Sequence, residues 1–209
     1  MTRPPKQAEP EPDRVGGETT LGGIVLAAGE SKRFGGAKQL ADLQGRPLLE
    51  HPILAMLAVP AVWPVVVVLG AHAEEIRARV DFGDAQPVLC PAWAEGQSAS
   101  LRAGVAALGA VDAAIVTLGD QPFITPQVIA GVLDQRSPHC DAVRATYGGD
   151  PGHPVLLERR VLSWVHDIRG ESGARELLAQ VRVREWDCAH LCDPTDVDTP
   201  EKLKEIQAS

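Results

Sequence analysis

Between residues 23 and 146 the sequence alternates between two periods, and that alternation limits the kind of core the chain can build. Short apolar runs lie at Gly23–Ala27, Val65–Leu69, Pro87–Cys90, Ala113–Leu118 and Ala142–Thr146, each too brief for a helix and rich in β-branched residues. Helix-patterned stretches separate them, at Leu48–Ala58, Ala73–Val80, Ser98–Leu108 and Pro126–Gln135. The order predicts an α/β, Rossmann-like fold: a mostly parallel sheet with helices on both faces. "VVVV" at 65–68 is the clearest strand, because an uninterrupted β-branched run suits a strand covered on both sides.

Beyond Tyr147 the rhythm loosens. "HPVLL" and "VRVREW" read as strands added at the edge of the sheet, and "SGARELLAQ" and "PEKLKEIQ" as helices. No internal repeat and no linker marks a second domain, so residues 21–209 are expected to form one. In an open α/β sheet the ligand sits beyond the C-terminal ends of the strands, so the loops after Leu26, Leu69, Cys90 and Leu118 should converge.

Composition excludes several partners. The 209 residues are 44% hydrophobic and 23% charged, with a formal net charge of −8. Such a field repels nucleic acid beyond a Debye length of roughly 8 Å, so any anion site must be built locally. The longest uncharged span, His51 to Ala73, is broken by Pro52, Pro60 and Pro64 and does not read as a membrane helix. Residues 1–20, rich in Pro, Glu and Gly, lack the apolar segment of a secretory signal and are expected to be a disordered tail on a cytoplasmic protein. Cys90, Cys140, Cys188 and Cys192 are too scattered for a disulfide scaffold, and "CAHLC" has no second pair at zinc-ligand spacing.

The loop "LAAGESKRFGGAKQL" follows the first apolar run. It matches neither the Gly-Lys-Ser/Thr phosphate loop nor GxGxxG. Ala27, Ala28 and Gly29 nonetheless let backbone N–H groups approach an anion, and Arg33 and Lys38 can neutralise phosphate charge; a plain basic turn is the alternative. "LAAGESKRFGGAK" resembles the LAAGxSxRxGxxK signature of GT-A-like nucleotidyltransferases, and most closely the molybdenum cofactor cytidylyltransferases and their MobA-like relatives. The resemblance implies that Leu26–Gly29 wrap the triphosphate of a nucleotide, with Arg33 and Lys38 on its oxygens. Guanylyltransferases of the family usually carry a second glycine where this chain has Ala28. Alanine is the form in pyrimidine-using members, which favours CTP over GTP.

Four further segments fall in the expected order. Asp120 of "LGDQP" closes an apolar run, where a strand delivers a side chain to the crevice; it suits Mg²⁺ or equally a turn that caps the next helix. The resemblance makes it a catalytic metal ligand. Near the C-terminus, Asp196 and Asp198 of "DVDTPE" read as ordinary residues before a helix start, while the family's DxDTPED box implies a second metal ligand, Asp198 ahead of Asp196. "WAEGQSASLRAG" places Ser98 as a helix N-cap, and the family's WxxGxSxSLxxG stretch implies nucleotide contacts from Gly96, Ser98 and Ser100; Trp93 reads as core or as a stacking surface. "GHPVLL" and "RGESGAR" resemble the acceptor-side boxes and imply acceptor contacts from Gly152, His153, Pro154 and Arg175, with His153 offering a hydrogen bond or a positive charge. Glu171 stands where the family usually has aspartate.

Taken with the family, these segments imply Mg²⁺-dependent transfer of CMP from CTP to the terminal phosphate of molybdopterin, with an apo-molybdoenzyme as a transient partner. A MobA-like guanylyltransferase, or an enzyme for another phosphorylated acceptor, would use the same clamp. A carrier that hands on molybdopterin without chemistry would need no grip on a metal-bound triphosphate.

Overall fold

The computed structural model describes residues 19–208. Residues 1–18 of the expected tail lie outside the described residues. Thr20, the last residue assigned to that tail, belongs to the folded part instead: its amide and hydroxyl both donate to Asp112 Oδ2, at 2.8 and 3.0 Å.

The elements run β1 (Leu21–Ala27), β2 (Asp42–Leu43), β3 (Arg46–Pro47), α1 (Glu50–Leu57), β4 (Val62–Leu69), α2 (Ala73–Arg79), β5 (Gln86–Leu89), α3 (Gln97–Leu108) and β6 (Ala113–Leu118). They continue α4 (Pro126–Asp134), β7 (Ala142–Tyr147), β8 (Asp150–Glu158), α5 (Arg159–Leu162), α6 (Arg175–Leu178), β9 (Val183–Asp187) and α7 (Pro200–Gln207). Seven strands form one sheet in the order β5-β4-β1-β6-β8-β7-β9, while β2 and β3 make a separate small hairpin. The β5-β4-β1-β6 half is parallel throughout, since each connection crosses over through a helix.

The second half departs from the expectation that "HPVLL" adds an edge. Its strand, β8, lies inside the sheet, antiparallel to both β6 and β7, and the edge on this side is β9. Gly148 and Gly149 explain the difference. Both have positive φ, 63° and 94°, and they close a two-residue turn on the Tyr147–Asp150 pair, so the chain returns at once instead of crossing over.

Side-chain alternation along β4 sorts the core into two layers. Val65, Val67 and Leu69 face the cluster containing Ile53 and Met56 of α1, Ile76 of α2 and Val128, Ile129 and Val132 of α4. Val66 and Val68 face the cluster of Ala99, Leu101 and Leu108 from α3 with Val161 and Leu162 of α5. A third, small cluster joins Leu43, Leu48, Val197 and Leu203, with Phe34 and Phe123 packed against it. It ties α7 and the segment before it to the first loop. The tie matters because Val197 N–H donates to the Asp120 carbonyl at 2.9 Å, which brings residues 197–198 alongside the end of β6.

Removing that anchor should loosen this corner alone. Leu203→Ala is expected to cost about 2–3 kcal/mol. In native-state hydrogen exchange the Val197 amide should lose protection while the Val67 amide in the central sheet keeps its own; equal loss at both would contradict the assignment of α7 to a separate cluster.

Candidate functional site

The C-terminal ends of β1 and β6 open onto one cleft of about 610 Å³, walled by residues 26–33, Lys38, Gln39, Trp93, Ala94, Gly96, Gln97, Ser100, Leu118–Asp120, Glu171 and Asp198. Beside it the loops after three strands come into close approach. A Cβ on Gly70, just past β4, would lie 2.3 Å from the Ala28 carbonyl oxygen and 2.7 Å from Trp93 Cβ, so only glycine lets the three loops meet.

The first loop is held by its carbonyls. Gln39, almost fully buried, sends Nε2 to the carbonyls of Ala27 (3.0 Å) and Gly29 (3.2 Å) and accepts the Ser31 hydroxyl at Oε1. Ala71 N–H donates to the Ala28 carbonyl, and His72 Nε2 lies 3.1 Å from the Glu30 carbonyl. In a peptide plane the N–H points opposite to the C=O. With four consecutive carbonyls engaged, the amides of Ala28 to Ser31 remain, and among the described residues none has a protein acceptor. This is a row of donors in the cleft wall, the arrangement that suits phosphate oxygens.

Facing it is a set of four charges. Lys38 Nζ lies 2.6 Å from Asp120 Oδ2 and 2.8 Å from Asp198 Oδ1, and Arg33 Nη2 lies 2.8 Å from Asp198 Oδ2. Burial opposes the charge on Lys38, but the two carboxylates outweigh it and hold the ammonium above its ordinary pKa. Burial also works against the Asp198 anion, yet Lys38 and Arg33 together keep that carboxyl below the usual range. Asp196 behaves oppositely: burial and the Asp120 charge raise it. Asp198 is thus the acid that shares a cation with Asp120.

The cleft as a whole is not a positive well. Lys32, Arg33 and Lys38 are offset by Glu30, Asp120, Glu171 and Asp198, so carboxylates outnumber cations in its walls. A polyphosphate entering alone would meet net repulsion; one accompanied by a divalent cation would not. Two features suit such a cation. Asp120 Oδ1 is buried with no hydrogen-bond partner, and a buried carboxylate oxygen left so is costly. Asp120 and Asp198 offer two carboxylates and, among the described residues, no third His, Cys, Asp or Glu completes a protein cage. Magnesium characteristically takes one or two carboxylates and draws its remaining ligands from water and substrate phosphates.

The other expected residues fall in different places. Gly96 and Ser100 line the cleft. Ser98 does not: it is fully buried and is the second residue of α3, whose N-cap is Gly96, so the expectation that Ser98 caps the helix is overturned. Gly152, His153, Pro154 and Arg175 lie outside the cleft walls, with Arg175 exposed in the first turn of α6. His153 is close enough to feel the Asp120 charge, but burial outweighs it and pushes the imidazole down to about 4. It is neutral at pH 7, so of the two offers expected of it, a hydrogen bond or a positive charge, the hydrogen bond remains. Tyr147 holds the segment, its hydroxyl donating to the His153 carbonyl at 2.6 Å. Gln39 was not anticipated; its signal was a polar residue beside Lys38 at a position the local pattern buries.

The profile of the MobA-like NTP transferase domain matches residues 23–185. The chain belongs to the MobA-like NTP transferase family. Among family relatives, nicotine blue oxidoreductase of Paenarthrobacter nicotinovorans is 32% identical over 194 residues, covering 87% of this chain and 93% of that one. The bifunctional protein GlmU of Rhodospirillum rubrum is 32% identical over 69% of this chain, which spans 32% of its length. The crystal structure of Rv0371c from Mycobacterium tuberculosis H37Rv superposes with a TM-score of 0.79 at 28% identity, covering 92% of this chain and all of that one. A second structure of Rv0371c is a complex with manganese, with a TM-score of 0.74, 27% identity and coverage of 91% and 100%. One fold in this family therefore carries names from different reaction classes, and chemistry has to be argued from the site.

Two outcomes test this geometry. Gln39→Met keeps the volume but frees the Ala27 and Gly29 carbonyls. It should lower triphosphate affinity about tenfold with nucleoside affinity unchanged, at a stability cost of about 1–3 kcal/mol; equal weakening of both ligands would place Gln39 outside phosphate binding. His153 titrates near 6.5 when unfolded and about 4 when folded, so the unfolded chain binds the extra proton between those values. Its contribution to stability is complete above pH 6.5 and is lost as the pH falls toward 4. Urea denaturation from pH 7 to 4.5 should show a shallower decline for His153→Gln than for the natural chain.

Proposed function

We propose that this member of the family transfers CMP from CTP to the terminal phosphate of molybdopterin, with Mg²⁺ held between Asp120 and Asp198, and releases pyrophosphate. The observation that carries the reading is the meeting of Lys38, Arg33, Asp120 and Asp198 beside a loop whose amides have no protein acceptor. A nucleotidyl transfer needs both parts. One oxygen of the acceptor phosphate forms a bond to the α-phosphorus, the bond from that phosphorus to the bridging oxygen breaks, and pyrophosphate departs with the electron pair. Anion attacks anion, so positioning and charge neutralisation do most of the work.

The roles of this chain's residues follow. The amides of Ala28 to Ser31 bind and orient phosphate oxygens, and Arg33 and Lys38 neutralise the charge that grows on the departing pyrophosphate. Gly96 and Ser100, at the start of α3, contact the nucleoside. Gly152, His153, Pro154 and Arg175 receive the acceptor, His153 through a neutral N–H. Asp120 and Asp198 would hold the divalent ion, which supplies Lewis-acid stabilisation of the reacting phosphate oxygens. No general base is required, because a phosphate monoester is already ionised at pH 7. Ala28 supports CTP over GTP through its likeness to pyrimidine-using loops.

The decisive experiment incubates the protein with molybdopterin, Mg²⁺ and each α-³²P-labelled nucleoside triphosphate in turn, and follows label and pyrophosphate. CTP should give a labelled dinucleotide, with Asp120→Asn and Lys38→Ala each at least about 100-fold slower. A second reading comes from the nicotine blue oxidoreductase relative, which the chain matches over nearly the whole length. Oxidation or reduction of a substrate in the same cleft, with no pyrophosphate from any triphosphate, would overturn the transferase reading in its favour.

A further inference from the structure

The four charges at the mouth of the cleft balance: two carboxylates, one ammonium and one guanidinium. Lys38 occupies the centre of this set. Its ammonium contacts both acids at once, is only 12% exposed, and approaches Asp120 more closely than Asp198. The space between Asp120 Oδ2 and Asp198 Oδ1 is thereby already filled by a cation that belongs to the chain. We infer that Lys38 is the resident counter-ion of the two-carboxylate site, and that it must leave those acids for triphosphate oxygens before a divalent ion can take its place. This rests on the proposed nucleotidyl transfer and names how its metal and nucleotide are coupled.

The physical reason is mutual. A divalent ion arriving alone would displace the Lys38 ammonium from both carboxylates that hold it while leaving the two cations near each other. A triphosphate arriving alone would draw Lys38 and Arg33 toward itself and leave Asp120 and Asp198 unpaired, facing its own negative charge. Together the two ligands exchange partners: the acids receive the divalent ion, and Lys38 and Arg33 receive the phosphates. Each ligand then strengthens the other by the same factor, as reciprocity of binding free energies requires. Lys38 thus couples the two ligands as well as gripping the phosphate.

The prediction runs against the usual effect of deleting a site residue. Mn²⁺ binding in the absence of nucleotide, read from the electron paramagnetic resonance signal of the free ion, should be weak in the natural chain and at least about tenfold tighter in Lys38→Met. Lys38→Gln, which keeps hydrogen-bond donors for the carboxylates and removes only the charge, guards against a failure of Lys38→Met to fold and should also bind Mn²⁺ more tightly. In both variants the enhancement of Mn²⁺ affinity by CTP should shrink relative to the natural chain. Unchanged or weaker Mn²⁺ binding in the folded variants would overturn the inference even if nucleotidyl transfer were found. Tighter Mn²⁺ binding without any transferase activity would uphold it and count against the proposed reaction alone.

Discussion

Lys38 is the cation at which two acids from distant parts of the chain meet. Its ammonium joins Asp120, at the end of a central strand, to Asp198, on the approach to the last helix. In a largely buried ion pair the cost of desolvation offsets most of the Coulomb gain, so the arrangement is not explained as a fastening for the fold. Its consequence is electrostatic: two acids that would repel each other are held close, with Asp120 Oδ1 left unpartnered. Everything proposed about catalysis depends on that closeness.

The fold supplies this geometry by ordinary means. Parallel strands β4, β1 and β6 end together, so the loops behind them share one face of the sheet. Gln39 then turns one of those loops into a donor row by engaging its carbonyls, and Gly70 lets the neighbouring loop pass beneath. The small cluster around Val197 and Leu203 carries Asp198 to the same place from the far end of the chain. Most of the sheet could be rebuilt with other apolar residues of similar volume. The loops leave far less room for change.

Much of this was legible beforehand because buried parallel strands write long apolar runs. Val65–Leu69 and Ala113–Leu118 could hardly be anything else, and their ends located the cleft. The hairpin return of β8 was missed although Gly148-Gly149 announced it, because the reading followed apolar runs and gave the turn no weight. Ser98 was misplaced since serine is the usual N-cap, whereas here Gly96 takes that position and burial takes Ser98. The choice between a hydrogen bond and a positive charge at His153 stayed open in the sequence for a different reason: a sequence does not state burial, and burial decides whether an imidazole keeps its proton. Family likeness told which acids to examine; only coordinates told which of Asp196 and Asp198 shares a lysine with Asp120.

The most direct measurement is a crystal structure with Mn²⁺ and a non-hydrolysable CTP analogue, with the metal located by anomalous scattering. The exchange of partners predicts an anomalous peak bridging Asp120 and Asp198, with Lys38 Nζ withdrawn from both acids onto phosphate oxygens. A manganese peak elsewhere, with Lys38 still hydrogen-bonded to Asp120, would contradict it.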